Sequence, residues 1–181
     1  LPVLSAAVLA ACLALPAAAG VDSLVAPLAR ANPGRTGVFV LERGEDALLA
    51  RLWLIERASK TLDGQTFIWT ADNVGILASE ALLRAAERGV RVRVIVDDLM
   101  VDAPRERLRW LDAHPNVEIR VYNPNLNLGQ SRLSRLWNSL TDLRGVNQRM
   151  HDKLLVADGA AGLTGGRNVA DEYFDYDHAY T

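Results

Sequence analysis

One histidine, one lysine and one aspartate lie at a spacing suited to phosphodiester chemistry. Residues 151–168 read HDKLLVADGAAGLTGGRN. His151 is followed by Lys153 at +2, Asp158 at +7, Gly165 at +14 and Asn168 at +17. With each residue taken at roughly one in twenty, the four downstream matches arise by chance about once in 10⁵ starts. An imidazole can attack phosphorus and form a covalent phosphohistidine, splitting one difficult step into two. The ammonium of Lys153 and the amide of Asn168 can hold the non-bridging oxygens, where charge must be stabilised. The carboxylate of Asp158 can orient the imidazole or the lysine. This chemistry needs no cofactor and no metal, and the sequence offers no convincing cluster of metal ligands.

Such a constellation must be positioned by its elements. The apolar run K-L-L-V-A predicts a strand over 151–157. Residues two apart on a strand share a face, so His151 and Lys153 are expected to project into one cleft while Leu154 and Val156 turn into packing. Gly159 to Gly162 permits a tight turn. Leu163 and Thr164 then return along the sheet and bring Gly165, Gly166 and Asn168 beside the histidine. Glycines there let backbone N–H groups approach an anionic oxygen.

Upstream, strands and helices alternate. Residues 44–60 carry Leu48, Leu49, Leu52, Trp53, Ile55 and Ala58 at helical spacing. TLDGQTFIW, 61–69, predicts a strand. Residues 74–88 predict a helix ended by Gly89. VRVRVIV, 90–96, predicts a strand that stops at Asp97-Asp98. Asp102 can cap a short helix to about Ala113, and Val117, Ile119 and Val121 alternate with Glu118 and Arg120 in a further strand. The pattern implies an α/β fold: a mainly parallel or mixed sheet covered on both faces, an α/β/α sandwich. Residues 123–150 break the rhythm. Leu133, Leu136, Trp137, Leu140 and Leu143 share a helical face with Arg132, Arg135 and Arg144 nearby. That stripe packs on the core or, as a lid, faces lipid. Asp97 and Asp98 read as a helix cap or solvated turn ahead of a metal site, Tyr173 and Phe174 as packing residues, and His114 and His178 as surface residues without partners.

Composition bounds the rest. Twenty basic against 22 acidic residues leave a formal charge of −2, so no global basic field favours nucleic acid. The lone cysteine, Cys12, excludes an internal disulfide. Residues 1–21 carry no charge and lead through Pro16 to Ala17-Ala18-Ala19-Gly20, which predicts a secretory signal. Leu9-Ala10-Ala11-Cys12 also fits a bacterial lipobox, with Cys12 lipidated. Residues 22–36 are then a connector and 37–181 one domain. The expected place is exported or membrane-associated, on the periplasmic face of a bacterium. The chain begins at Leu1 and ends at Thr181 in a polar aromatic run, so the expectation is the first part of a longer protein.

H-x-K-x(4)-D followed by G-G-x-N resembles the phospholipase D superfamily. GGRNVADEYF at 165–174, QRMHDK at 148–153 and LDGQTFIW with RGVRVRVIVDD upstream resemble its bacterial cardiolipin synthase branch, over roughly residues 37–174. The resemblance implies a phospholipase D-like fold, with His151 as nucleophile or general acid, Lys153, Asn168, Gly165 and Gly166 on phosphate, and Asp158 in an orienting role. It implies a phospholipid substrate, a membrane surface, and hydrolysis or phosphatidyl transfer. Members of the superfamily build one site from two copies of the motif, and this sequence holds one. A second half, or a second subunit, is therefore the expected partner. The alternatives are an exported nuclease of the same chemistry and a non-catalytic half-domain that binds phosphate headgroups. The branch often has a tyrosine-rich strand where this chain has Gly64-Gln65-Thr66-Phe67.

Overall fold

The computed structural model describes residues 20–101, 105–123 and 149–175. Residues 1–19 of the signal predicted at 1–21, the cap at Asp102, the apolar stripe at 133–143 and His178 lie outside these residues, while Val21, the last residue of that predicted signal, is buried at the start of a helix. In chain order the elements are α1 (Val21–Ala31), α2 (Gly44–Arg57), β1 (Thr61–Trp69), α3 (Asn73–Glu87), β2 (Arg91–Val101), α4 (Arg105–Asp112), β3 (Val117–Tyr122), β4 (Leu154–Ala157) and β5 (Ala161–Thr164), followed by a short 3-10 turn at Asp171–Tyr173. The five strands form one sheet in the order β3-β2-β1-β4-β5. β1, β2 and β3 run parallel, β4 is antiparallel to β1, and β5 at the sheet edge is antiparallel to β4. The sheet is mixed and flanked by helices, as the alternating pattern implies.

Period-two alternation places whole rows of side chains on one face. Val117, Val92, Leu62, Ala157 and Ala161 are successive cross-strand neighbours through all five strands. They join Leu54 and Ile55 of α2 and Ala81, Leu82, Ala85 and Ala86 of α3 in the main core. The opposite face carries a polar row, Asp63–Arg93–Glu118. Arg93 there grips Asp63 with two hydrogen bonds, of 2.6 and 2.9 Å. That pair is exposed, and solvent screening leaves it little weight in stability.

Two boundaries differ from the sequence reading. The connector assigned to 22–36 begins as a helix, α1, and Val21 is wholly buried in the main core. The Pro27 inside α1 hid it. The turn at Asn32-Pro33-Gly34 does follow, with Gly34 at φ 71°. β2 does not stop at Asp97-Asp98 but runs on to Val101. Among the described residues no helix is long and apolar enough to cross a membrane.

The next core row, Ile119–Val94–Gly64–Leu155–Leu163, has a gap at its centre. Gly64 has no side chain to fill it, and a cavity of about 80 Å³ opens there, lined by Gly64, Val94, Leu155, Leu52, Ile55 and Leu82 among others. A Cβ on Gly64 would meet Val94 Cγ2 at 3.7 Å, an ordinary contact. Gly64→Ala is therefore expected to stabilise the protein by about 0.5–1 kcal/mol, because it adds core contact and removes backbone freedom from the unfolded chain. Urea denaturation at equal slope checks it. A lower midpoint would show that the cavity is needed as space.

Candidate active site

The site forms where the end of β1 meets the segment that leads into β4. Residues 151–153 are extended but lie outside the sheet, so the strand is four residues long, Leu154–Ala157, and not the seven expected. Leu155 and Ala157, rather than Leu154 and Val156, join the core. Lys153 shares their parity and is accordingly buried, at 6% exposure. Its stem lies against the apolar interior while its ammonium bends back to donate to the His151 carbonyl at 2.6 Å. Burial pushes the Lys153 pKa down, and the nearby Asp152 carboxylate offsets part of that shift.

Phe67 joins the two motif residues. Its ring lies 5.0 Å from the exposed His151 imidazole, tilted by 53°, and 5.3 Å from Lys153 Nζ. The histidine and the lysine thus share one ring, although 151–153 lie outside the strand from which a common face was expected. Asn168 arrives by another route. After β5 the chain passes back to β1, where Val169 bridges Trp69. Val169 N–H donates to Ile68 O, and Thr70 N–H donates to Val169 O, each at 3.1 Å. Asn168 is 2% exposed, and its Oδ1 accepts the Ile68 N–H at 3.2 Å. This fixes the amide's orientation and leaves its NH₂ donors uncommitted among the described residues. His151, Lys153 and Asn168 therefore gather around Phe67 and Ile68. Gly165 and Gly166 are exposed, with nothing within 4 Å of where a Cβ would stand.

Asp158 is placed elsewhere. It lies beyond the other end of β4, where its carboxylate accepts from the backbone N–H groups of Ser59, Lys60 and Thr61 at 2.7–3.1 Å and from Ser59 Oγ at 3.0 Å. Direct orientation of the imidazole or lysine, expected from the sequence, is not what this geometry provides. Asp158 and Gly159 sit at φ 55° and 65°, the paired positive angles of a tight hairpin turn. Asp158 therefore turns β4 into β5 and ties that turn to the start of β1. Burial raises its pKa, but the N–H donors of Thr61, Lys60 and Ser59 together outweigh it and hold the carboxyl below the usual range.

Several contacts had no clear signal in the sequence. Asp97 is a buried anchor rather than a cap: its carboxylate accepts from Arg149 Nη1 at 3.2 Å and from Met150 N at 3.0 Å. An acid interrupting a run of β-branched residues was the available hint. Asp171 accepts from Val74 N at 2.7 Å, and its own N–H donates to the Asp72 carboxylate that caps α3. Arg167 donates to Tyr173 O and Glu42 O. Phe174 is fully buried, as expected of a packing residue. His114 is not a free surface residue, since its Nδ1 accepts the Asn116 N–H at 3.2 Å.

The family described as cardiolipin synthase, PLD-like domain, matches residues 52–180. Cardiolipin synthase C of Escherichia coli is 45% identical over 152 residues, which is 84% of this chain and 31% of that protein. Cardiolipin synthase 1 of Bacillus anthracis is 32% identical over 139 residues, 77% of this chain and 25% of that protein. The chain thus spans about a third or less of the length of these relatives. Among solved structures, NucT from Helicobacter pylori superposes with a TM-score of 0.53 at 19% identity, over 77% of each chain. That likeness concerns the fold.

The Asp158 network yields a stability test. Asp158→Asn keeps the turn, because asparagine tolerates positive φ, but it removes the charge that the N–H donors face. The variant is expected to lose about 1–3 kcal/mol at pH 7. A depressed folded-state pKa contributes stability that is present above the unfolded value, about 4, and is lost as pH falls through the folded value. Wild type should therefore lose stability as pH falls below about 4, and the variant should lose less over the same window. Denaturation series at pH 7 and pH 3 check both. Parallel losses in the two proteins would refute the assignment.

Proposed function

As the chain belongs to the cardiolipin synthase, PLD-like domain family, we propose that it cleaves or transfers a phosphodiester of phospholipids through a phosphohistidine on His151. The single observation behind this reading is the convergence of an exposed imidazole, a buried ammonium and an oriented amide on one short stretch of β1.

The chemistry follows from the groups. An imidazole nitrogen of His151 attacks phosphorus, and the bond from phosphorus to the leaving alcohol breaks. Lys153 and the free NH₂ of Asn168 donate to the non-bridging oxygens, assisted by N–H groups of the open Gly165-Gly166 segment. The departing oxygen needs a proton from a second acid. Water or a second alcohol then attacks phosphorus, gives its proton to the conjugate base of that second acid, and the phosphorus–nitrogen bond to His151 breaks. Water gives hydrolysis, and a lipid hydroxyl gives phosphatidyl transfer. The second acid is supplied by another copy of the motif, in a covalent second half or a second subunit. Its place of action is a membrane surface after export, with a cleaved signal or a lipid on Cys12 as the two modes of delivery.

His151→Ala is expected to abolish nearly all turnover in the complete assembly, because no neighbouring group replaces a positioned imidazole. Lys153→Ala should lower kcat/KM by the equivalent of about 3–4 kcal/mol, the cost of a lost oxyanion donor. Radiolabelled phosphatidylglycerol vesicles, with acid-labile phosphoprotein trapped by rapid quench, read both. Substantial turnover by His151→Ala would sink the assignment. Turnover of nucleic acid with phospholipid untouched would overturn the lipid substrate.

The 181-residue chain as a monomer is expected to show little or no phosphodiesterase activity. Light scattering and activity measured on the same sample decide. An active monomer refutes the two-copy mechanism. Activity that appears only in a dimer, or only on adding a second half, supports it.

A further inference from the structure

We propose that Asp97 is a positioning residue that sets the reach of the His151 imidazole. The inference rests on His151 being the nucleophile. The argument begins in the sheet register. Thr66 pairs with Val96, but the next pairing is Ile68 with Met100. One residue of β1, Phe67, therefore stands against three of β2, 97–99. A bulge of this kind bends the strand and re-aims a side chain. Here it carries a carboxylate with no exposed surface. Asp97 Oδ2 accepts the N–H of Met150, the residue immediately before His151, at 3.0 Å. Its Oδ1 accepts from Arg149 Nη1 at 3.2 Å, and the Arg149 side chain is itself only 12% exposed.

The other side of the bulge completes the grip. Phe67 packs on the imidazole at 5.0 Å and lies under the Lys153 ammonium at 5.3 Å. Residues 149–153 have no strand partner of their own. Among the described residues no hydrogen bond holds the His151 ring. Its position is set by the backbone hung on Asp97 and by the Phe67 face. A buried carboxylate beside a buried guanidinium is weak evidence of stability, since apolar residues of similar volume often serve as well. Its place on the backbone N–H that leads into His151 gives it a geometric role.

The test uses the full chain in the assembly that carries activity. Asp97→Asn should lower kcat on the order of 10²-fold with KM little changed, as expected for a misplaced reacting group. In the same variant the Met150 amide should exchange faster with solvent, and ¹³C relaxation of the His151 ring should show greater motion. Asp97→Leu combined with Arg149→Met removes both charges of the pair together, so it should fold even where Asp97→Asn does not, and its kcat should still be low. Wild-type kcat in a folded variant, or unchanged Met150 exchange, would overturn the proposal. Faster exchange and a looser ring in a protein whose wild type turns over no phosphodiester would support the clamp and reject the proposed reaction instead.

Discussion

The site depends on β1 being stitched at both ends to the segment that carries the motif. At its start, Ser59, Lys60 and Thr61 direct their N–H groups at Asp158, and the Asp158 N–H returns to Thr61 O. At its end, Ile68 and Thr70 exchange hydrogen bonds with Asn168 and Val169. Between these points β4 pairs with β1 from Leu62 to Gln65. A hairpin pinned at both ends cannot slip by one residue without reversing every side chain on the sheet. Slippage would expose Leu155 and Ala157 and would take Lys153 away from Phe67. The core rows and the candidate site are therefore fixed by one register.

This division of labour separates the members of the motif. His151 and Lys153 meet at one end of β4, and Asn168 is returned to that end by the chain after β5. Asp158 stands at the other end and holds the hairpin. Sequence spacing alone cannot separate these roles. A carboxylate seven residues beyond a histidine is compatible with contact through a turn, and only the strand between them excludes it. The conformation of Asp158, at φ 55°, adds a reason for a short polar side chain there, since asparagine and aspartate enter the left-handed region more readily than other non-glycine residues.

Much of the fold is readable from the sequence because its patterns are long and consistent. β1 runs from Thr61 to Trp69 as its composition predicts, α3 begins one residue before the predicted start with Asp72 as its cap, and β3 follows the Val117–Ile119–Val121 alternation. The misreadings share a cause: a residue whose usual meaning is overridden by tertiary contact. Pro27 normally argues against a helix, yet α1 contains it and is anchored through Val21 in the core. Asp97 normally ends a strand, yet Arg149 and the Met150 N–H satisfy it in the interior. In the site, the spacing of His151, Lys153 and Asn168 stands in the sequence. The Phe67 platform does not, because it depends on a bulge that no local pattern announces.

Lys153 gives the arrangement its electrostatic sense. An ammonium removed from water is costly unless an opposite charge compensates it. Among the described residues Lys153 makes no salt bridge; it leans on a carbonyl and an aromatic face, and burial lowers its pKa. Asp158 is committed to the start of β1, Asp171 to the start of α3, and Asp97 to Arg149 and Met150. The nearby Asp152 carboxylate offsets only part of that cost. The remaining desolvation cost would be met by an arriving anion, most fully by the species with the greatest charge on its oxygens. In the proposed reaction that species is the transition state of the phosphodiester under attack, so the buried lysine would favour the step over the bound ground state.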